Sequence, residues 1–373
     1  MPCPSQADNG MIIARAPYRI TLGGGGTDLP SFYEKHGGFI FAMCMDKYLS
    51  LIINPTIIDR RIRLEYLQSE LVDHASKLRH GLAREALLLH HIETAMEITS
   101  IGDLPGRAGI GSSGSYLVAL LSALHAYRRM PVSQFEIAEE ACDIEINRLK
   151  EPVGKQDQYM AALGGLRCLD IAPNGEVKTH TVSLSQSALH EFLGNTHLYY
   201  TGAQRNASSI LRLQNDAALD KTRVDHQTVV DCLKHIKEIG YRIVEALRQE
   251  NFDEFGKLLD DHWQTKKRMN PEITTSIADR LYDVAKADFG VLGGKIMGAG
   301  GGGFLMLYSP TNHTKLMHYM AEQGCPRLHY GIDVQGAKVV ADLRSPSQPD
   351  VDHRSETCEP LSPAAPASLE ATR

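Results

Sequence analysis

The sequence predicts a two-lobed protein in which strands dominate the first part of the chain and helices the second. Runs rich in β-branched and apolar residues at 39–45, 48–54 and 61–67 have the character of strands in one sheet. Residues 224–248, 252–267 and 272–287 instead repeat their apolar positions at helical spacing. The chain has 373 residues, 43% of them hydrophobic, enough to fill the sizeable core that two lobes require.

In chain order, residues 11–16 alternate weakly, as a first strand ending at Pro17, with Arg19 just beyond. Gly23, Gly24, Gly25 and Gly26 follow and are closed by Thr27 and Asp28. Ordering four glycines costs so much chain entropy that a close approach of ligand or backbone is expected here. Asp28 can accept hydrogen bonds from sugar-type hydroxyls, or close an Asx-turn on its own backbone. Residues 84–96 read as a helix, whose His90 and His91 point to different faces and make a poor pair of metal ligands.

Residues 105–124 are a loop of tiny residues running straight into a strongly apolar helix. Gly109, Gly111 and Gly114 allow the backbone to approach a ligand, and the helix start behind them presents unpaired amides suited to phosphate. The P-loop pattern fails because Ser115 and Tyr116, not Lys and a hydroxyl residue, follow the last glycine. The dinucleotide pattern fails because residues 103–107 separate the strand-like 97–101 from the glycines. What remains is a hydroxyl-bearing phosphate loop, in which Ser112, Ser113 and Ser115 can bind phosphate or Mg2+.

Arg128 and Arg129 suit the end of that helix, and Ser133 with Glu136 forms a capping box that starts the next, expected to run to about residue 150. Glu145 falls in the middle of its apolar face, so it is either an ion partner of Arg148 or a Mg2+ ligand. After Pro152, residues 154–159 pack several polar groups at the start of a short helix. Asp157 there is a candidate general base with Lys155 beside it to keep it ionised, or an acidic residue favouring the helix N-terminus. Strand-like runs at 166–171, 177–184 and 197–200 precede a turn where Arg205 can hold a second anionic group or sit on the surface. Gly298, Gly300, Gly301, Gly302 and Gly303 lead into a buried strand at 304–308, and should form the far wall of the same site. A last strand at 338–343 precedes a tail, 344–373, of disordered composition.

A net charge of -6 and a pI near 6.2 argue against a nucleic-acid partner. No apolar stretch is long enough for a membrane span, and the start lacks the pattern of a signal peptide. Seven cysteines without paired spacing read as reduced thiols, so the expected location is the cytoplasm. No oligomeric state follows from the sequence.

Arg19 with the loop to Asp28, the Gly109-Ile-Gly-Ser-Ser-Gly loop and the Gly298-Ala-Gly-Gly-Gly-Gly run, in that order, resemble the three motifs of the GHMP small-molecule kinases. The resemblance spans residues 11–343, and the Gly-Lys-Gln-Asp-Gln-Tyr-Met-Ala-Ala element is most similar to the branch acting on anomeric hydroxyls, the heptose 7-phosphate 1-kinases and fucokinase-type domains. The fold it implies is α+β, with a ribosomal S5-like N-terminal lobe (11–185) and a helical, ferredoxin-like C-terminal lobe (186–343). It implies ATP and Mg2+ as cofactors, a sugar phosphate as acceptor and C1 as the position phosphorylated. It further implies that Asp157 is the catalytic aspartate, assisted by Arg19 and Lys155. Gly109, Gly111, Ser112, Ser113 and Gly114 would hold the triphosphate, Ser113 and Glu145 the metal, and Gly24, Gly25, Thr27, Asp28, Arg205, Gly300 and Gly301 the substrate. Galactokinases carry Gly-Glu-His-Thr-Asp where this chain has Gly-Gly-Gly-Thr-Asp, which leaves room for a bulkier sugar than galactose. A non-catalytic sensor of sugar and nucleotide is the other class of function, opposed by the joint presence of Asp157, Glu145 and Ser113.

Overall fold

The computed structural model describes residues 10–106, 108–202, 207–298 and 300–344. Its strands are β1 (Ile12–Gly23), β2 (Gly38–Pro55), β3 (Ile62–Glu65), β4 (Ser69–Val72), β5 (Met96–Gly102), β6 (Leu166–Ile171), β7 (Val177–Thr181), β8 (Thr196–Tyr200), β9 (Gly293–Ile296), β10 (Phe304–Tyr308), β11 (Arg327–Leu328) and β12 (Lys338–Asp342). Its helices are α1 (Pro30–His36), α2 (Gly81–Leu89), α3 (Ser112–Tyr127), α4 (Gln134–Cys142), α5 (Gln156–Leu163), α6 (Gln186–Asn195), α7 (Ala207–Leu219), α8 (His226–Arg248), α9 (Phe252–Met269), α10 (Ser276–Phe289) and α11 (His313–Glu322).

The first sheet runs β12-β1-β2-β5-β3-β4, with β6 and β7 branching from β2. The branch exists because β2 is long enough to serve two partners: 38–43 pair with β6, and 49–55 pair with β5. Two separate strands were expected there, and the connecting residues turn out to continue the extended backbone. β1 also runs on past its expected end. Pro17 lacks an amide for the ladder, and the register shifts between Pro17 and Arg19, so the strand absorbs the proline at an irregularity. That continuation delivers Arg19 and Thr21 to the site. The second sheet, β11-β8-β10-β9, is wholly antiparallel.

Helix α3 packs its apolar length against β1 and β2, with Leu117, Leu120, Leu121 and Leu124 fully buried. A second core, containing Ile20, Phe39, Phe41, Ile239, Phe255 and Phe304, joins the first sheet to α8, α9 and the second sheet. There α8 crosses β1 closely enough that a Cβ on Gly23 would lie 2.8 Å from Gly240 Cα. A third core, with Trp263, Leu281 and Leu307, fills the space among α8, α9, α10 and the second sheet. Among the described residues, five cysteines are free and buried, and no helix is long and apolar enough to cross a membrane.

The Ser133 capping box forms as expected, with the Glu136 amide donating to Ser133 Oγ and the Ser133 amide to Glu136 Oε2. On the same helix, Glu140 accepts from His90 Nε2 (2.8 Å) and His125 Nε2 (2.6 Å). Burial pushes the Glu140 carboxyl up, but the bonds from His125 and His90 outweigh it and bring it down to about 2. A depressed carboxyl adds stability above its unfolded range, lost as pH falls toward the folded value. Stability measured by urea unfolding is therefore expected to drop between about pH 4.5 and 2, by on the order of 2 kcal/mol from this group. Glu140→Gln should flatten that part of the profile; an unchanged profile would remove the group from acid unfolding.

Candidate active site

The site begins at the glycine loop. Gly109 (φ 77°) and Gly111 (φ 79°) are left-handed, and Gly111 is the residue from which α3 starts, without a side-chain cap on its first turn. A Cβ on Gly109 would lie 2.5 Å from the Met297 carbonyl oxygen, so the third glycine run packs directly onto the phosphate loop. At Gly114 a Cβ would fall 2.7 Å from Cβ of Asp157, which is why α5 can bring its carboxylate to the start of α3. Ser112 Oγ is buried without a protein partner, as a hydroxyl awaiting a ligand would be. Ser115 is different: its hydroxyl donates to the Pro17 and Gly111 carbonyls and serves the packing of α3 on β1.

Arg19, buried at the continuation of β1, ties this loop to α5. Its Nε donates to Asp157 Oδ1 at 2.7 Å, Nη2 lies 2.6 Å from the same oxygen, and Nη1 donates to the Gly109 carbonyl at 2.7 Å. Lys155, expected in this role, is directed elsewhere: its ammonium donates to the Gly175 carbonyl (2.6 Å) and lies 3.6 Å from Glu139. Lys155 is the residue preceding α5 and Asp157 lies in its first turn, so adjacency in sequence does not bring their charged ends together.

Asp28 is almost fully buried and accepts from the backbone amide of Gln156 (3.1 Å), its side-chain amide (3.3 Å) and the Gly26 amide (3.3 Å). Burial raises its carboxyl above the usual range against the pull of these donors. It anchors the start of α5 while lining a small cavity of about 70 Å³ with Gly25, Arg19 and Asp157. Other proposed substrate contacts are placed away from it. The Thr27 hydroxyl donates to the Phe39 carbonyl and accepts from the Phe39 amide, so it holds the loop to β2. Gly24 packs on the same strand, where a Cβ would meet the Phe39 carbonyl. Gly301 donates its amide to the Ile273 carbonyl, and a Cβ on Gly300 would lie 2.6 Å from that oxygen. The glycine run therefore meets the cavity at Gly298, not at Gly300 or Gly301. Arg205 lies outside the described residues.

Glu145 is buried at the end of the α4 segment, where the expected single helix widens into a π-helical turn, Asp143–Arg148. Such turns are frequent at functional sites because they rotate one side chain out of helical register. Arg148 pairs with Asp143 (2.8 Å), which removes the Arg148 ion pair as an account of Glu145. Gln158 Nε2 instead donates to Glu145 Oε2, and the Ser113 hydroxyl also bonds the carboxylate. Burial, and then the negative charge of Asp157, push Glu145 up to about 7. Carboxylate and hydroxyl oxygens are the hard donors that Mg2+ takes, and a cation there would offset the burial cost on Glu145.

Two residues that the sequence did not single out complete the cavity. Lys266 Nζ donates to the Gly298 carbonyl at 2.7 Å, and Lys295 Nζ to the Leu22 carbonyl at 3.3 Å. Both line the cavity and both are buried. Lys266 lies on the inward face of α9 with Leu259, His262 and Trp263, so a charge on an apolar stripe was the available signal.

An open helix start behind glycines, an Arg–Asp pair and a carboxylate bonded to a serine are groups able to hold phosphates and serve phosphoryl transfer without a P-loop lysine. Residues 75–165 match the GHMP kinases N terminal domain, and residues 243–322 match the GHMP kinases C terminal. The chain is 26% identical over 330 residues to the D-glycero-alpha-D-manno-heptose 7-phosphate kinase of Campylobacter jejuni subsp. jejuni serotype O:2, covering 84% of this chain and 94% of that protein. It is 21% identical over 348 residues to the galactokinase of Thermotoga petrophila, covering 86% and 95%. The crystal structure of a D-glycero-D-manno-heptose 1-phosphate kinase from Bacteriodes thetaiotaomicron shares the fold, with a TM-score of 0.71 at 23% identity over 89% of this chain and 99% of that one. The chain carries the N- and C-terminal domains of the GHMP kinases, and its similarity to heptose and galactose kinases supports an ATP-dependent phosphotransferase with an alcohol group as acceptor.

Proposed function

We propose that this kinase transfers the γ-phosphoryl group of ATP to the C1 hydroxyl of D-glycero-alpha-D-manno-heptose 7-phosphate, forming the 1,7-bisphosphate. The product would feed nucleotide-activated heptose (GDP-heptose) for surface polysaccharide, from the cytoplasm where ATP is held. The observation that carries the reading is the Arg19 guanidinium joining Asp157 to the glycine loop, in a chain similar along most of its length to a heptose 7-phosphate kinase.

In this reading the amides at the start of α3, with Ser112 and Ser113, hold the triphosphate, and Gly109 and Gly111 let the loop close around it. Asp157, paired with Arg19, orients the C1 hydroxyl and takes up its proton as the oxygen attacks phosphorus. Arg19 and the loop amides face the charge that spreads over the phosphoryl oxygens; in a loose transition state such positioning and electrostatics count for more than basicity. Mg2+, for which Glu145 and Ser113 are suited, supplies further neutralisation of the phosphates when bound. Residues 11–185 and 186–343 are assigned as the two lobes, with β12 returning to the sheet of the first.

The test is incubation with Mg-ATP and a panel of sugars and sugar phosphates, reading ADP release and locating the new phosphate by NMR. The heptose 7-phosphate should give the fastest ADP release and a phosphorus resonance coupled to the anomeric proton. A phosphate on any other carbon would overturn the position, and preference for an unphosphorylated sugar would overturn the acceptor.

A further inference from the structure

Around the cavity, cationic side chains outnumber the carboxylates able to pair with them. Arg19 from β1 is matched by Asp157, but Lys266 from α9 and Lys295 from β9 have only carbonyl partners among the described residues. His262, one helical turn before Lys266, is also fully buried, and neither of its ring nitrogens has a partner. Asp28 faces this group from the loop after β1, with both carboxylate oxygens already accepting hydrogen bonds from Gly26 and Gln156. Burying two ammonium groups side by side without counter-charge is costly, and a fold retains such an arrangement where a ligand provides the missing charge.

We propose that Lys266 and Lys295 form a binding site for a terminal phosphate group in the cavity between Asp28 and the Gly298 turn. The carbonyls of Gly298 and Leu22 each take one donor from these ammonium groups, leaving further donors for phosphate oxygens. Gly298 rests on Gly109, so the site adjoins the phosphate loop, and Asp157 lies across the same cavity. The phosphate has two possible sources, the acceptor's own or the terminal phosphate of the donor. Only this choice of source rests on the kinase reading; the anion site itself rests on the side chains.

Burial, and then the neighbouring Arg19 charge, hold the Lys266 ammonium down to about 8, with Asp28 acting in the opposite direction. Burial, then Lys266 and Arg19, hold Lys295 well below its usual range. Binding of a dianion reverses these penalties, so it must be accompanied by proton uptake near neutral to mildly basic pH.

The experiment is titration calorimetry of the full chain with inorganic phosphate at about pH 8, in two buffers of different ionisation enthalpy, for wild type, Lys266→Met, Lys295→Met and Lys266→Arg. Wild type should bind phosphate with net proton uptake. Each Met variant should weaken binding by at least about tenfold and reduce the uptake, while melting no lower than wild type because a buried charge has been removed. Lys266→Arg, which keeps the charge, should retain binding, and it decides the matter if a Met variant fails to fold. Equal phosphate affinity in wild type and both Met variants, or binding without proton uptake, overturns the site. Kinetics then separate the sources: a raised KM for a sugar phosphate with the KM for ATP unchanged marks the acceptor's phosphate, and the reverse marks the donor's. Failure of every sugar to react, with phosphate binding still lost in the Met variants, would defeat the kinase reading and leave the anion site standing.

Discussion

Asp157→Asn is expected to lower kcat by about a thousandfold while leaving nucleotide affinity within about twofold of wild type. The substitution keeps the shape of the side chain against Gly114 but removes the negative charge that Arg19 holds at 2.6 Å. Asn neither takes up the hydroxyl proton nor balances the guanidinium, so Arg19 is left buried with the Gly109 carbonyl as its remaining side-chain partner. Single-turnover phosphoryl transfer and fluorescent-nucleotide binding measure the two effects separately. Near-normal turnover would remove Asp157 as the base.

Glu145→Gln is expected to reduce kcat/KM by about a hundredfold and to move the Mg2+ dependence to higher concentration. The variant should also be somewhat more stable. A carboxyl raised to about 7 binds its proton more tightly in the folded state, so its folding contribution falls as pH climbs from its unfolded range through that value. A neutral amide escapes the loss, and the thermal midpoint above neutral pH should rise. Titrating Mg2+ at fixed ATP, with melting curves alongside, tests both parts. An unaltered Mg2+ dependence would leave Glu145 a structural partner of Gln158.

Much of this was legible in the sequence because local chemistry and tertiary position agree where glycine is required. The runs at 23–26, 109–114 and 298–303 mark the places where backbone meets backbone or ligand, and the structure brings parts of all three together. The Ser133 capping box was readable from four residues because such a cap is wholly local. Lys155 misled because proximity along the chain says nothing about where a long flexible side chain finds its acceptor, here the Gly175 carbonyl. Thr27 misled because a hydroxyl beside glycines can serve a neighbouring strand as well as a sugar. Lys266 and Lys295 were missed because each meets Arg19 only after α9 and β9 pack against β1, a contact between segments far apart in sequence. The setting of Glu145 was likewise invisible, since the partners of its carboxylate, Gln158 and Ser113, come from other helices.

The return of β12 to the outer edge of β1 bears on the order of events during synthesis. Ile12, Ile13, Ala14 and Arg15 pair with residues 338–342, and Arg344 donates to the Ala126 and Tyr127 carbonyls at the far end of α3. The helix that starts at the glycine loop is thus closed at its other end by the last residue described. A nascent chain must hold β1 with one flank bare until more than three hundred further residues have left the ribosome. Closure of such a distant pair is slow, and the exposed flank of Ile12 and Ala14 is the segment most open to wrong pairing in the interval.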